Sequence, residues 1–175
     1  MRLENSFEVP ASPERAWALL LDVPRVVPCM PGAELTETVD DAHWKAQVQV
    51  KFGPVALTFA ADVSREAVDE AARSITLVTK ARETKGRGAA GATIESSLAP
   101  AAEGTRVTVV TDLQLSGAAA QFGGPVVKDV AAQMTRQFAD CLQGQLGEEP
   151  APAQSTRPIS GLSLLLRSLA ARFRR

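Results

Sequence analysis

From Trp44 to Phe52 the chain alternates without a break. Trp44, Ala46, Val48, Val50 and Phe52 are apolar, and Lys45, Gln47, Gln49 and Lys51 between them are polar. Successive side chains of a strand point to opposite faces, so the pattern predicts an antiparallel strand with one buried and one wetted side. Gly53-Pro54 makes a turn. The alternation then resumes in Val55, Leu57, Phe59, Ala61 and Val63. Three more strands follow in "RSITLVTKARE", "ATIESSLAP" and "TRVTVVTDLQL", the last two joined at Glu103–Thr105.

Elsewhere the period is different. "LENSFEV" at the N-terminus alternates and reads as a strand. "PASPERAWALLLD" reads as a short helix, with Ser12 as N-cap and Pro13 at its first position. "PRVVPCM" predicts one or two further helical turns, closed by Pro31-Gly32. From Gly117 the spacing becomes helical: Phe122, Val126, Val127, Val130, Met134, Phe138 and Leu142 recur at three or four residues. The solid part of this helix is expected from Pro125 to about Gln145. The order strand, two short helices, five or so strands, long helix predicts an α+β domain over 1–146: one antiparallel sheet with its helices on one side.

The 175 residues suit one domain and a tail. Alanine and valine dominate the apolar set and there is no Tyr. Buried side chains are therefore small, which means either tight packing or unfilled space. Cys29 and Cys141 stand far apart and do not read as a disulfide framework. The N-terminus has no long apolar run of the secretory kind, so a reducing, cytoplasmic setting is the default expectation. Cys29 sits among Val27, Pro28, Met30 and Pro31 and reads as a small buried hydrophobe.

Charge is unevenly spread. Residues 1–146 hold 14 Lys/Arg against 18 Asp/Glu, and residues 147–175 hold five Arg against two Glu. Residues 147–158, "GEEPAPAQSTRP", have a linker's composition. In 159–175, Ile159, Leu162, Leu165, Leu166, Leu169 and Phe173 fall on a helical stripe, with Arg167, Arg172 and Arg174 mostly off it. The segment is too short and too charged to span a bilayer. It fits a helix lying in the interface, leucines down and arginines near lipid phosphate. Packing on a partner protein or on its own domain are the competing readings. A large apolar side chain gains ~1.5–3 kcal/mol when fully buried, and each arginine near anionic lipid about 1 kcal/mol. Partial burial and the cost of ordering the segment reduce that sum to reversible attachment.

Chemical machinery is missing from the pattern. His43 is the one histidine, at a strand start, and reads as a solvated turn residue. One His and two separated Cys do not make a zinc site. "GRGAAG" enters a strand, not a helix, and so is no dinucleotide turn. The acidic body argues against nucleic acid. An apolar interior with a lipid-facing tail points to holding a hydrophobic molecule.

Four separated stretches carry a family resemblance. They are "ASPERAWALLLDVPRVVPCMPGAEL" with its Cys29-Met30-Pro31-Gly32 turn, "VQVKFGPVALTF", the region from "GRGAAG" through "EGTRVTV", and "LSGAAAQFGGPVVKDVAAQMTRQFADCL". Over about residues 1–146 the chain resembles the carbon monoxide dehydrogenase G-subunit family. The resemblance implies a helix-grip fold, like that of the START lipid-transfer domains and pollen allergens. In that fold a curved antiparallel sheet wraps a long C-terminal helix around an apolar cavity. It implies a non-catalytic accessory protein of a molybdenum-containing dehydrogenase. The protein would sit peripherally on the inner face of the cytoplasmic membrane and carry a quinone, menaquinone or ubiquinone, with no other cofactor and no metal.

The cavity wall is expected to draw on Trp44, Val48, Phe52, Leu57, Phe59, Leu77, Ile94, Val109 and Leu113. Phe122, Val127, Met134 and Phe138 of the long helix would close it, and Cys29 and Met30 would offer soft contacts at its mouth. A one-residue slip would invert the face of every strand. The alternatives are an assembly or anchoring factor with an incidental cavity, and an enzyme of the same broad fold, such as an aromatase or cyclase. Deleting residues 159–175 is expected to move the protein from the membrane to the soluble fraction. Unchanged flotation with anionic liposomes after that deletion would overturn the interfacial reading.

Overall fold

The computed structural model describes residues 1–147. The predicted linker from residue 148 and the predicted interfacial helix 159–175 lie outside the described residues. Seven strands form one sheet: β1 (Arg2–Val9), β2 (Ala33–Thr38), β3 (His43–Phe52), β4 (Val55–Asp69), β5 (Ser74–Glu83), β6 (Gly88–Ala101) and β7 (Gly104–Gly117). Their order is β1-β7-β6-β5-β4-β3-β2, and every neighbouring pair is antiparallel. The chain is a meander from β2 to β7, with β1 laid against β7 at the far edge.

Three helices interrupt or follow the sheet: α1 (Pro13–Leu21), α2 (Val23–Val26) and α3 (Gly124–Gly147). Ser12 caps α1 by accepting from the Arg15 amide at 3.3 Å, and Asp22 caps α2 in the same way at 3.4 Å. A 3-10 turn, Val27–Cys29, ends the pair. Gly32 then takes φ +75°, and a Cβ there would strike the Gln49 carbonyl of β3. Only glycine allows this return to the sheet.

Three sequence expectations are corrected. The strand Ala33–Thr38 is an edge strand with four of its six residues exposed, so no alternation announces it. Phe122 belongs to a separate 3-10 turn, Ala119–Phe122, because Gly123 at φ +80° breaks the helical path before α3 begins. Val126 lies exposed on the outer side of α3.

The cysteines are not free. Cys29 and Cys141 form a disulfide across 112 residues of sequence, with their Cα atoms 5.3 Å apart. Sequence separation alone argues against pairing, but the fold returns α3 to the Cys29 turn. The bridge ties that turn to the C-terminal half of α3. A loop of this length is worth several kcal/mol of unfolded-state entropy. The Cys29→Ser/Cys141→Ser variant is expected to lose about 2–5 kcal/mol in urea unfolding and to ignore reductant. An unchanged urea midpoint for the native chain on reduction would overturn this.

Candidate functional site

The strand register sets which side chains face α3. Trp44, Ala46, Val48, Val50 and Phe52 of β3 pair with Val63, Ala61, Phe59, Leu57 and Val55 of β4. On the same face, Ala61, Val63 and Arg65 pair with Ala81, Thr79 and Leu77 of β5. Ala81, Thr79 and Leu77 pair with Ala90, Ala92 and Ile94 of β6. These in turn pair with Leu115, Leu113 and Thr111 of β7. One cross-strand row, Ala46–Ala61–Ala81–Ala90, is therefore all alanine, and the next, Val63–Thr79–Ala92, is scarcely larger.

The helix covers these rows unevenly: Ala46 and Ala61 are buried and Ala81 and Ala90 pack against the residues around Phe52, Leu57 and Phe59, whereas Val63, Thr79 and Ala92 are only half-buried. Its backbone comes within 8 Å of β1 at one edge, of β3 near the other, and of the two 3-10 turns, while β4 to β7 stay farther away apart from isolated approaches. It crosses the concave sheet as a bar resting on both sides.

Packing is tight at the two ends. At one end Phe138, Leu142 and Leu146 of α3 meet Trp17, Leu20, Cys29, Ile75, Leu98 and Val107. There Phe7 and Phe138 meet edge to face at 6.1 Å. At the other end Phe52, Leu57, Phe59, Ala119 and Val127 are buried together, and Phe52 stacks on Phe122 at 4.6 Å. Between the ends, Val63, Thr79, Ala92, Ile94 and Thr111 of the sheet and Ala131 and Met134 of α3 are only half-buried, and they belong to neither cluster. A pocket of about 380 Å³ opens beside the second cluster, lined by Leu113, Leu115, Gly123, Gly124 and Val127 among others.

The predicted wall residues thus divide. Trp44, Val48, Phe52, Leu57, Phe59, Leu77, Ile94, Val109 and Leu113 all lie on the concave face. Phe52, Leu57, Phe59 and Val127 are packed in one end cluster and Phe138 in the other. Val48, Leu77, Ile94, Val109, Leu113, Phe122 and Met134 are half-buried. Cys29 is placed differently from the expectation of a mouth contact: it is buried in the closed end, bridged to Cys141, with the Gln145 amide nitrogen 3.1 Å from its sulfur. Met30 packs against the same cluster. The residues that sequence reasoning passed over are the small ones, Ala46, Ala61, Thr79, Ala81, Ala90 and Ala92. Alternation with polar neighbours marked Ala46 and Ala81, but Ala90 and Ala92 lie in "GAAGAT", which does not alternate.

Charged groups lie at the ends and not in the middle. Arg65 stands over the Trp44 ring, 5.8 Å from its centre, and donates to the Asp41 carbonyl at 2.8 Å. Trp17 donates its indole N–H to Glu70 at 2.6 Å. Glu83 ends β5 with its side chain 1% exposed and accepts from Arg87 at 2.7 Å. It also accepts the backbone amides of Lys85 and Arg87. His43 is 57% exposed and bonded to Asp40, remote from the concave face. Among the described residues no group of His, Cys, Asp and Glu could hold a metal ion, and no helix is long and apolar enough to cross a membrane.

A bent antiparallel sheet gripping one long C-terminal helix is the helix-grip architecture of the START-like proteins. Solved structures agree. A conserved protein from Geobacillus kaustophilus matches at 21% identity and a TM-score of 0.74, covering 84% of this chain and 95% of its own. A START superfamily protein from Mycobacterium smegmatis matches at 18% identity and TM-score 0.60, covering 83% and 97%. The ZhuI aromatase/cyclase from Streptomyces sp. R1128 matches at 14% identity and TM-score 0.59, covering 84% and 93%. No curated protein sequence matches the chain. The profile of the carbon monoxide dehydrogenase G-subunit (CoxG) family matches residues 6–147, and the chain belongs to that family.

The Glu83 carboxyl carries a pH signature. The Arg87 guanidinium, outweighing burial, and then the Arg87 and Lys85 amides hold its pKa down to about 2 from an ordinary 4.5. The folded state therefore prefers the ionised form, and its contribution is complete above the ordinary value and lost as pH falls through the folded one. Thermal midpoints of the native protein are expected to fall more steeply between pH about 4.5 and about 2 than those of Glu83→Gln. Parallel curves for the two would refute this role.

Proposed function

We propose that the protein is a non-catalytic carrier. It holds a long apolar molecule, a prenylated quinone of the menaquinone or ubiquinone type, in the gap beneath α3. It collects this ligand at the inner face of the cytoplasmic membrane, where residues 159–175 attach it, and brings it to a molybdenum-containing dehydrogenase. The supporting observation is the half-buried middle of the concave face, roofed by α3 and lined by alanines, threonines, Ile94 and Met134. From Val127 to Phe138 the helix covers roughly 16 Å, at 1.5 Å per residue. That is room for a ring and the start of a tail.

Family membership supports the choice of enzyme served. Against a catalytic role stand the remote His43, the absence of Tyr, and the confinement of Arg65 and Glu83 to ion pairs and carbonyl bonds at the two ends. The fold shared with an aromatase/cyclase carries no chemistry by itself.

Solvent extraction of purified protein, followed by mass spectrometry, is expected to release a prenylated lipid. Met134→Trp, which fills the gap from the helix side, is expected to weaken rebinding of the extracted lipid at least about tenfold, or ~1.4 kcal/mol, with its thermal midpoint checked in parallel. Absence of any lipid, before and after addition, would leave only the anchoring role. Intact affinity in a folded Met134→Trp would move the ligand elsewhere.

A further inference from the structure

The turns of the fold gather at two opposite ends of the sheet. One end holds the hairpin between β3 and β4, the turn between β5 and β6, the 3-10 turn Ala119–Phe122 and the start of α3. The Ala118 amide donates to the Arg87 carbonyl there at 2.7 Å. Across residues 50–58, 82–91 and 113–130, which build this end, the basic groups are Lys51, Arg82, Lys85, Arg87 and Lys128, and the acids are Glu83 and Asp129. Glu83 is committed to Arg87. Lys51, Lys85 and Lys128 are exposed and form no ion pair among the described residues. The other end, where α1, α2 and the remaining turns lie, carries Glu14, Asp22, Asp40, Asp41, Asp69, Glu70 and Glu103 against Arg15, Arg25, Arg65 and Arg73, an acidic balance.

The basic end also has apolar tips. Pro54-Val55 caps the hairpin and Pro125-Val126 opens α3; Val55 is 37% and Val126 40% exposed. The stacked rings of Phe52 and Phe122 set these two tips side by side, since each follows its ring by two to four residues. The pocket lined by Leu113, Gly123 and Val127 opens at the same end.

We propose that this end is the face by which the folded domain itself docks on an anionic lipid bilayer. Small apolar tips enter the headgroup layer, and the surrounding lysines reach lipid phosphate along their flexible stems. The opposite, acidic end is repelled. A protein partner fits less well, because lysine is depleted from protein interfaces and the patch offers no aromatic anchor. The proposal extends the membrane half of the carrier reading and does not depend on what is carried.

The test uses the full chain, extracted free of lipid. Val55→Cys or, at the acidic end, Val39→Cys is labelled with a polarity-sensitive maleimide dye, the native cysteines being bridged. The label at position 55 is expected to shift to the blue on phosphatidylglycerol-containing vesicles, to stay unshifted on pure phosphatidylcholine, and to lose the shift at high salt. The label at 39 should not respond. Lys51→Glu/Lys85→Glu/Lys128→Glu is expected to weaken the titrated response at 55 about tenfold or more. Arg25→Glu/Lys45→Glu/Arg136→Glu, matched in charge at exposed sites away from this end, should preserve it. Thermal midpoints verify folding in both. A shift at 39 with silence at 55, equal response to both vesicle types, or a shift at 55 only with an added protein would each overturn the proposal. None of these outcomes bears on whether a lipid is carried, which extraction decides separately.

Discussion

The structure depends on one long helix braced across a bent sheet at both sides but not over its middle. At one end the brace is the Cys29–Cys141 bridge together with the Phe7–Phe138 contact. At the other it is the Phe52–Phe122 stack and the burial of Val127. Tight interiors do not tolerate voids, because lost dispersion contacts and lost burial both cost stability. A helix held only by its middle would settle onto the sheet and close the space. Anchored at both ends on large side chains, it is kept from the half-buried rows through Thr79, Ala92, Ile94 and Thr111 by the bulk of those anchors.

The small residues complete the device. Ala46, Ala61, Ala81 and Ala90 are neighbours across four strands and contribute almost no height above the sheet. Larger side chains there would collide with the cluster around Phe52 and Phe59, although β-branched and aromatic residues suit strands better than alanine does. Propensity alone would not select them. Thr79 and Ala92, in the next row, are half-buried and outside both clusters, as is Met134 on α3, the most adaptable apolar side chain available.

Much of this was legible in the chain. Period-two alternation announced β1, β3, β4, β7 and the latter part of β6 through their wetted faces, while the half-buried "GAAGATI" that opens β6 does not alternate. The 3.6-residue recurrence announced α3. Edge strand β2 was silent because both of its faces are largely wet. The cavity face could be grouped by alternation, but its large members stand out most in a sequence, and those proved to be the packed ends. The disulfide escaped because 112 residues of separation say nothing of proximity once a sheet returns the chain. The polarity of the two ends escaped as well. Its charges come from three distant segments that only the hairpin connectivity brings together.

Geometry also bears on how the two proposed membrane contacts coexist. The described chain ends at Gly147, which lies against Pro10 at the acidic end, whereas the basic end lies at the start of α3. The 24 residues of α3 separate them by roughly 36 Å at 1.5 Å per residue. Residues 148–158 can span at most ~36–40 Å, whatever path they take. A shorter connection would hold the acidic end toward the bilayer and turn the pocket away. A connection of this length lets an attached tail and a docked basic end share one surface. On this reading the reach of the linker, more than its composition, decides whether a tethered domain can also present its opening to the lipid.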